Sequence, residues 1–175
     1  VFDKTGTLTK GEFEVNELLT ADGVSEAELL EAAAYAENFS DHPIAASIKR
    51  AFAKEGNEIA AERISDVKEV AGHGIRILLD GAEVFAGNEK LLSDNSIAAV
   101  PTEKPGTVVY VAKNGSYMGC VIISDTIKPE ARQAIKSLKQ AGVKQTVMLT
   151  GDRKKAGEAV AKELGIDTVY TQLLP

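Results

Sequence analysis

The sequence predicts an α/β protein: a parallel, doubly wound sheet interrupted by an inserted α+β domain with an antiparallel sheet. Three observations predict it. After Ser124 the pattern alternates helix, strand, helix and strand, the order of a parallel sheet with crossover helices. Between Gly11 and Ile123 two pairs of β-like runs are joined by Asp80-Gly81 and Asn114-Gly115, dipeptides that favour two-residue hairpins. Val1-Phe2-Asp3 reads as the end of a buried strand that has no helix after it but would fit the same parallel sheet. The expected division is therefore residues 1–10 and 124–175 for the parallel domain and 11–123 for the insert.

Each element follows from local chemistry. Phe13 to Leu19 is a short β-compatible run. Ser25 stands three residues before Glu28, the spacing of a capping box, and opens a helix to about Ala36 with Leu29, Ala33 and Ala36 on one face. Pro43 suits the first turn of a second helix, whose apolar stripe is Ile44, Ile48, Ala51 and Phe52 and whose stop is Gly56. Strands are expected at Ile64 to Val70, Gly74 to Leu79, Ala82 to Ala86, Thr107 to Lys113 and Tyr117 to Ile123. Helices follow at Pro129 to Ala141 and Arg153 to Leu164, with strands at Thr146 to Leu149 and from Thr168. A strand usually runs about five or six residues, so the two ends read as those of an excerpt from a longer chain.

Composition narrows the function. Of 175 residues, 44% are hydrophobic and 26% charged, the profile of a folded globular chain. No uninterrupted apolar run exceeds the five residues of Val108–Ala112, against roughly 20 for a bilayer span, so no direct membrane contact is expected. The balance of 20 basic to 26 acidic residues, net charge −6, disfavours nucleic acid as a partner. Cys120 is the one cysteine; it reads as a core thiol in an alternating strand, and with two histidines it supplies too few ligands for a closed transition-metal site.

Chemistry concentrates at three places. Asp3 ends a strand and begins the turn Asp3-Lys4-Thr5-Gly6-Thr7-Leu8-Thr9, where open α/β sheets bind ligands; by itself it can be a turn cap, a metal ligand or a phosphoryl-accepting nucleophile. Thr150-Gly151-Asp152 follows another strand and would reach the same sheet edge, or serve as a plain strand-to-helix turn. In the insert, His42 precedes the Pro43 helix, where an isolated histidine is most simply a cap. Gly72-His73-Gly74 has Ile77 where a dinucleotide fingerprint needs glycine and has no helix after it. His73 has no evident partner.

The seven-residue string from Asp3 to Thr9 matches DKTGTLT, the phosphorylation signature of P-type ATPases. Ser40-Asp41-His42-Pro43, Gly72-His73-Gly74 and Thr150-Gly151-Asp152 follow in the order and approximate spacing of the heavy-metal class, so the resemblance covers essentially the whole chain. It implies a haloacid-dehalogenase-like, Rossmann-type phosphorylation domain carrying an inserted nucleotide-binding domain, in the cytoplasmic portion of a membrane protein whose actuator and transmembrane domains are its partners. It implies ATP and Mg²⁺ as cofactors, with Asp3 the nucleophile, Asp3 and the Thr5 carbonyl the Mg²⁺ ligands, and Lys4, Thr5, Thr150, Gly151 and Asp152 the rest of the catalytic set. Glu37, His42, Gly72, Gly74, Gly87 and Asn88 are implied at the nucleotide, His42 against adenine and Glu37 accepting from its exocyclic amine. The family usually has Asn where Arg153 stands.

Related phosphatases place an acid two residues after the nucleophile. Here that position is Thr5, which cannot shuttle a proton at pH 7, so a lasting phosphoenzyme is expected and a phosphatase with a large cap is the alternative. Ala36-Glu37-Asn38-Phe39-Ser40-Asp41-His42-Pro43-Ile44-Ala45 and the terminal Gln172-Leu173-Leu174-Pro175 resemble the zinc, cadmium and lead group more than the copper group, the other alternative. The family places a Lys shortly beyond Pro175 and a Gly-Asp-Gly-x-Asn-Asp segment further on. The 175-residue chain is therefore expected to bind nucleotide and to transfer phosphate poorly.

Overall fold

The structure, a computed structural model, describes residues 1–152 and 154–173. The chain forms two compact units, Val1–Glu12 with the described residues from Asp125 onward, and Phe13–Ser124.

In the first unit, β1 (Phe2–Asp3), β8 (Val147–Leu149) and β9 (Thr168–Tyr170) form a parallel sheet in the order β1-β8-β9. Helices α4 (Ala131–Gln140) and α5 (Lys154–Leu164) belong to the crossovers that parallel pairing demands. Leu8, Ala131, Ile135, Met148, Ala161, Leu164 and Ile166 make its core. Helix α4 starts two residues later than Pro129 suggested. The Arg153 start expected for α5, and Arg153 itself, lie outside the described residues, as do Leu174 and Pro175.

The second unit is a six-stranded sheet in the order β2-β7-β6-β5-β4-β3. The strands are β2 (Thr9–Thr20), β3 (Ile64–Val70), β4 (Gly74–Leu79), β5 (Ala82–Gly87), β6 (Thr107–Lys113) and β7 (Ser116–Ile127). Both predicted hairpins form, Leu79 pairing with Ala82 and Lys113 with Ser116. Positive φ at Asp80 (51°), Gly81 (80°), Asn114 (49°) and Gly115 (75°) marks both as type I′ turns.

Helix α1 (Glu26–Ala36) carries the predicted capping box, and α2 (Pro43–Lys54) the predicted proline. Both pack Leu29, Leu30, Tyr35, Ile48 and Phe52 on one sheet face with Ile77, Val84, Val111 and Val121. The opposite face buries Phe85, Tyr110, Cys120 and Ile122 under Leu91, Leu92 and Ile97.

That second layer corrects two expectations. Helix α3 (Glu89–Asp94) was not foreseen, because six residues are too few to show a helical period. Cys120 is buried as expected, yet β7 does not alternate: it is a central strand covered on both faces, so Met118 to Ile123 is one buried run. Strands β2 and β7 also run past the predicted Phe13–Leu19 and Tyr117–Ile123, and the chain crosses between the units within each of them.

Candidate functional site

Two clusters contain the residues singled out in the sequence, one in each unit.

In the first unit, β1 and β8 run parallel with Asp3 opposite Leu149, so Asp3 and Thr150 leave the sheet at the same edge. The turn after Asp3 is a type II turn centred on Thr5 (φ −73°, ψ 124°) and Gly6 (φ 76°, ψ −16°), a shape that needs glycine second. The Thr9 N–H donates to the Lys4 carbonyl and so closes the wider Lys4–Thr9 loop around this turn, and Lys128 Nζ donates to the Gly6 carbonyl at 2.7 Å. Asp3, Thr5 and Gly151 are exposed. Among the described residues no hydrogen bond or ion pair engages the Asp3 carboxylate, and no group of three His, Cys, Asp or Glu could hold a metal ion.

Lys4 is only 6% exposed, and its ammonium lies 2.7 Å from Asp152 Oδ2 and 4.0 Å from Asp125 Oδ2. Asp125, 8% exposed, accepts from the Gly11 N–H at 2.9 Å, and its other oxygen is 2.5 Å from the Thr9 hydroxyl. That hydroxyl is also 3.0 Å from the Lys4 carbonyl but has one proton to give. Thr150 is buried; its Oγ1 accepts from the Asp152 N–H at 3.1 Å, and its carbonyl accepts from the Leu173 N–H. Within α5, Gly157 has no room for a side chain, since an added Cβ would stand 2.5 Å from the Thr171 methyl and 3.1 Å from that of Thr150. The structure thus brings together Asp3, Lys4, Thr5, Thr150, Gly151 and Asp152. It adds Thr9, Asp125 and Lys128, which the sequence reading missed. The available signal was an aspartate closing the apolar run Val121–Ile123 just before Lys128-Pro129.

In the second unit, Glu37 begins a 3₁₀ turn, Glu37–Phe39, at the end of α1. Burial pushes its carboxyl above the ordinary carboxylate range, opposed by the Lys49 charge and a hydrogen bond with Ser40 and assisted by the like charge of Glu69. Phe39 in this turn is 56% exposed, an aromatic ring left to solvent between Glu37 and His42. His42 is the N-cap of α2, its Nδ1 accepting from the Ile44 N–H at 3.2 Å, so the plain capping reading holds for that nitrogen.

Gly72 (φ 71°) sits in the turn between β3 and β4, closed by His73 N–H on the Val70 carbonyl. At Gly74 (φ 141°) a Cβ would fall 2.2 Å from the Ala86 carbonyl oxygen, and at Gly87 one would fall 2.2 Å from that of His73. The two glycines face each other across β4 and β5. Close approach of the protein's own backbone therefore accounts for both. Asn88 caps α3 with its Oδ1 on the Leu91 N–H and donates from Nδ2 to the Gly72 carbonyl, tying α3 to that turn. His73 does have partners, correcting the expectation: Nδ1 is 2.8 Å from the Ala71 carbonyl and Nε2 is 3.2 Å from Lys90 Nζ.

Comparison with known proteins bears on both clusters. The chain is 52% identical over its whole length to a cadmium, zinc and cobalt-transporting ATPase of Bacillus subtilis (strain 168), covering 24% of that protein. It is 48% identical to a zinc-transporting ATPase of Synechocystis, again over 24% of its length. A probable copper-exporting P-type ATPase of Archaeoglobus fulgidus matches at 39%, over 22% of its length. The crystal structure of a zinc-transporting PIB-type ATPase in an E2.Pi state superposes with a TM-score of 0.84 at 33% identity, with 99% of this chain and 29% of that one covered. The chain therefore spans about a quarter of the length of the curated relatives it matches. No helix among the described residues is long and apolar enough to cross a membrane. The family model described as haloacid dehalogenase-like hydrolase matches residues 1–174, through both compact units, and with it the chain belongs to the haloacid dehalogenase-like hydrolases.

Proposed function

We propose that this chain is the ATP-binding and aspartyl-phosphorylation part of the cytoplasmic portion of a heavy-metal cation-transporting P-type ATPase, working with actuator and transmembrane domains of the same parent chain. The observation that carries this is the unengaged Asp3 carboxylate at a strand end, beside a buried lysine held by Asp152 and Asp125, with Thr5 where a phosphatase needs an acid. Asp3 would attack the γ-phosphorus of ATP; the bond to the bridging oxygen breaks, ADP leaves with that electron pair, and an aspartyl-phosphate remains. Without an acid at Thr5, no proton donor or base stands two residues away to hydrolyse it.

The Asp3 carboxylate and the carbonyl of Thr5, both residues being exposed, are hard oxygen donors that would fit Mg²⁺. Held there, Mg²⁺ would supply positive charge to offset that building on the transferring phosphoryl group. Among this chain's residues, the backbone of the Thr150–Asp152 loop is held by Thr150 Oγ1, Gln172 and Leu173, which keeps it rigid at the same edge.

In the second unit Glu37, His42 and the Gly72–Gly74 turn would take the nucleotide, with Gly87 and Asn88 shaping that turn. The first two relatives named above are a cadmium, zinc and cobalt transporter and a zinc transporter and share more identity with this chain than the copper exporter named there, which supports the zinc, cadmium and lead group for the cargo.

Titration of the chain with ATP should move the amide resonances of Glu37, His42, Gly72 and Gly74; unchanged spectra would remove the nucleotide assignment. In a full-length protein carrying this segment, γ-labelled ATP should leave an acid-stable, hydroxylamine-labile label that Asp3→Asn abolishes. Rapid turnover of a small phosphate ester would instead point to a phosphatase.

Two variants separate the ring of His42 from its cap. His42→Ala should weaken ATP binding by about 1 kcal/mol through the lost aromatic contact, and destabilise the fold by about 1 kcal/mol through the lost cap. His42→Asn retains a capping side chain, so calorimetry should show the loss of affinity with the melting temperature near wild type. Equal ATP affinity in all three proteins would exclude a contact between the ring and the base.

A further inference from the structure

We propose that Lys49 is the positioning residue of the base-recognition turn: from α2 its ammonium grips the carbonyls of Asn38 and Ser40 and so fixes how Glu37 and Phe39 are presented to the base. This rests on the nucleotide reading of the second unit.

The geometry points to Lys49 in three ways. Its Nζ donates to the Ser40 carbonyl at 3.0 Å and to the Asn38 carbonyl at 3.3 Å. These two carbonyls lie where the chain leaves α1 and the 3₁₀ turn, among the groups a helix end leaves without intrahelical donors, and a cation there satisfies both their hydrogen bonding and the helix dipole. Lys49 is half-buried, and both hydrogen bonds of its ammonium are part-buried, so the cation is held at the turn.

The same segment closes on itself through the Ser40 N–H to the Glu37 carbonyl, and the Ser40 hydroxyl accepts from the His42 N–H. Every residue from Glu37 to His42 is therefore tied, directly or through one neighbour, to the point Lys49 holds. Two side chains at this clamped turn suit an adenine: a carboxylate that can accept from an exocyclic amine and an exposed phenyl ring that can lie on a purine face.

The groups facing the Glu37 carboxylate are Lys49 from α2, Ser40 from the same turn and Glu69 from β3. Burial favours the protonated acid, Glu69 adds to that, and Lys49 opposes both. Only the ionised carboxylate makes a charge-assisted bond to an amine. Removing Lys49 should raise the Glu37 pKa further. Base binding would then fail at a higher pH as the solution is acidified.

The test uses the 175-residue chain, with ATP and GTP affinities measured by calorimetry from pH 5 to pH 8 and amide spectra confirming the fold of each variant. Wild type should prefer ATP over GTP. Lys49→Met should lose about tenfold or more in ATP affinity, the usual effect of losing charged hydrogen bonds, with the preference over GTP reduced and the acid limb displaced upward. Lys49→Arg, which restores a cation, should recover most of both. In a Glu37→Gln background, Lys49→Met should no longer displace any acid limb. If wild type prefers ATP and Lys49→Met keeps the same affinity, selectivity and acid limb, the positioning role is wrong while the nucleotide reading stands. Failure of Lys49→Arg to recover would also overturn it. If wild type binds no nucleotide, the reading beneath it falls, and this inference with it.

Discussion

Gly74→Ala should destabilise the Phe13–Ser124 unit by about 3 kcal/mol or more, far beyond what an ordinary surface glycine costs. At φ 141° an L-residue is strained before any contact is counted. The added Cβ would lie 2.2 Å from the Ala86 carbonyl oxygen and 2.5 Å from the Gly87 Cα, both backbone atoms of the paired strand. No rotamer change relieves a clash with backbone, so β4 and β5 must separate where Gly74 pairs with Gly87. Gly72→Ala is the control. Its φ of 71° is also unfavourable, but nothing lies within 4 Å of the new Cβ, so the cost should be about 1 kcal/mol. Urea unfolding followed by amide signals of residues 64–87 measures both. A Gly74→Ala protein as stable as wild type, but deficient in ATP binding, would mean that the glycine serves the nucleotide and not the sheet.

Lys4→Met should cost about 3 kcal/mol in the other unit. Methionine matches the stem but removes the cation that stands 2.7 Å from Asp152 and 4.0 Å from Asp125. Asp125 is nearly inaccessible and would retain only the Thr9 hydroxyl and the Gly11 N–H as donors. An uncompensated buried carboxylate is the dominant loss, more than the pair's net attraction. Adding Asp125→Asn to Lys4→Met should therefore recover part of the stability, a sign opposite to that of two independent damaging changes. The measurement is the unfolding midpoint of amide signals from β1, β8 and β9. A Lys4→Met protein within about 0.5 kcal/mol of wild type would show that the charges behave as an exposed pair.

Much of this molecule was legible in the residues because local chemistry dictates it. The capping box of Ser25 and Glu28, the proline opening α2 and the two type I′ turns each involve atoms a few positions apart, and all stand where the spacing predicts. The alternation of helix and strand after Ser124 reported the parallel sheet for the same reason. The extent of β2 and β7, and the short helix α3, were not legible. Strand length is decided by what pairs alongside, and a helix of fewer than two turns survives only because Leu91 and Leu92 are covered by the sheet.

By itself the sequence determined the strand-end aspartate, the Thr-for-acid position beside it, the loop sharing its sheet edge, and the two-part chain. What only the tertiary structure decided is who holds those groups. Asp125 joins Lys4, Thr9 and Gly11 across more than a hundred positions, Lys49 reaches back to the carbonyls of the Glu37–Ser40 turn, and the Gly74–Gly87 contact explains glycines that a motif alone would assign to a ligand. The physical reason is one of range. Caps, turns and periodicities are governed by backbone geometry over a few residues. A buried charge finds its partner, and a backbone its closest neighbour, only after the strands are in register.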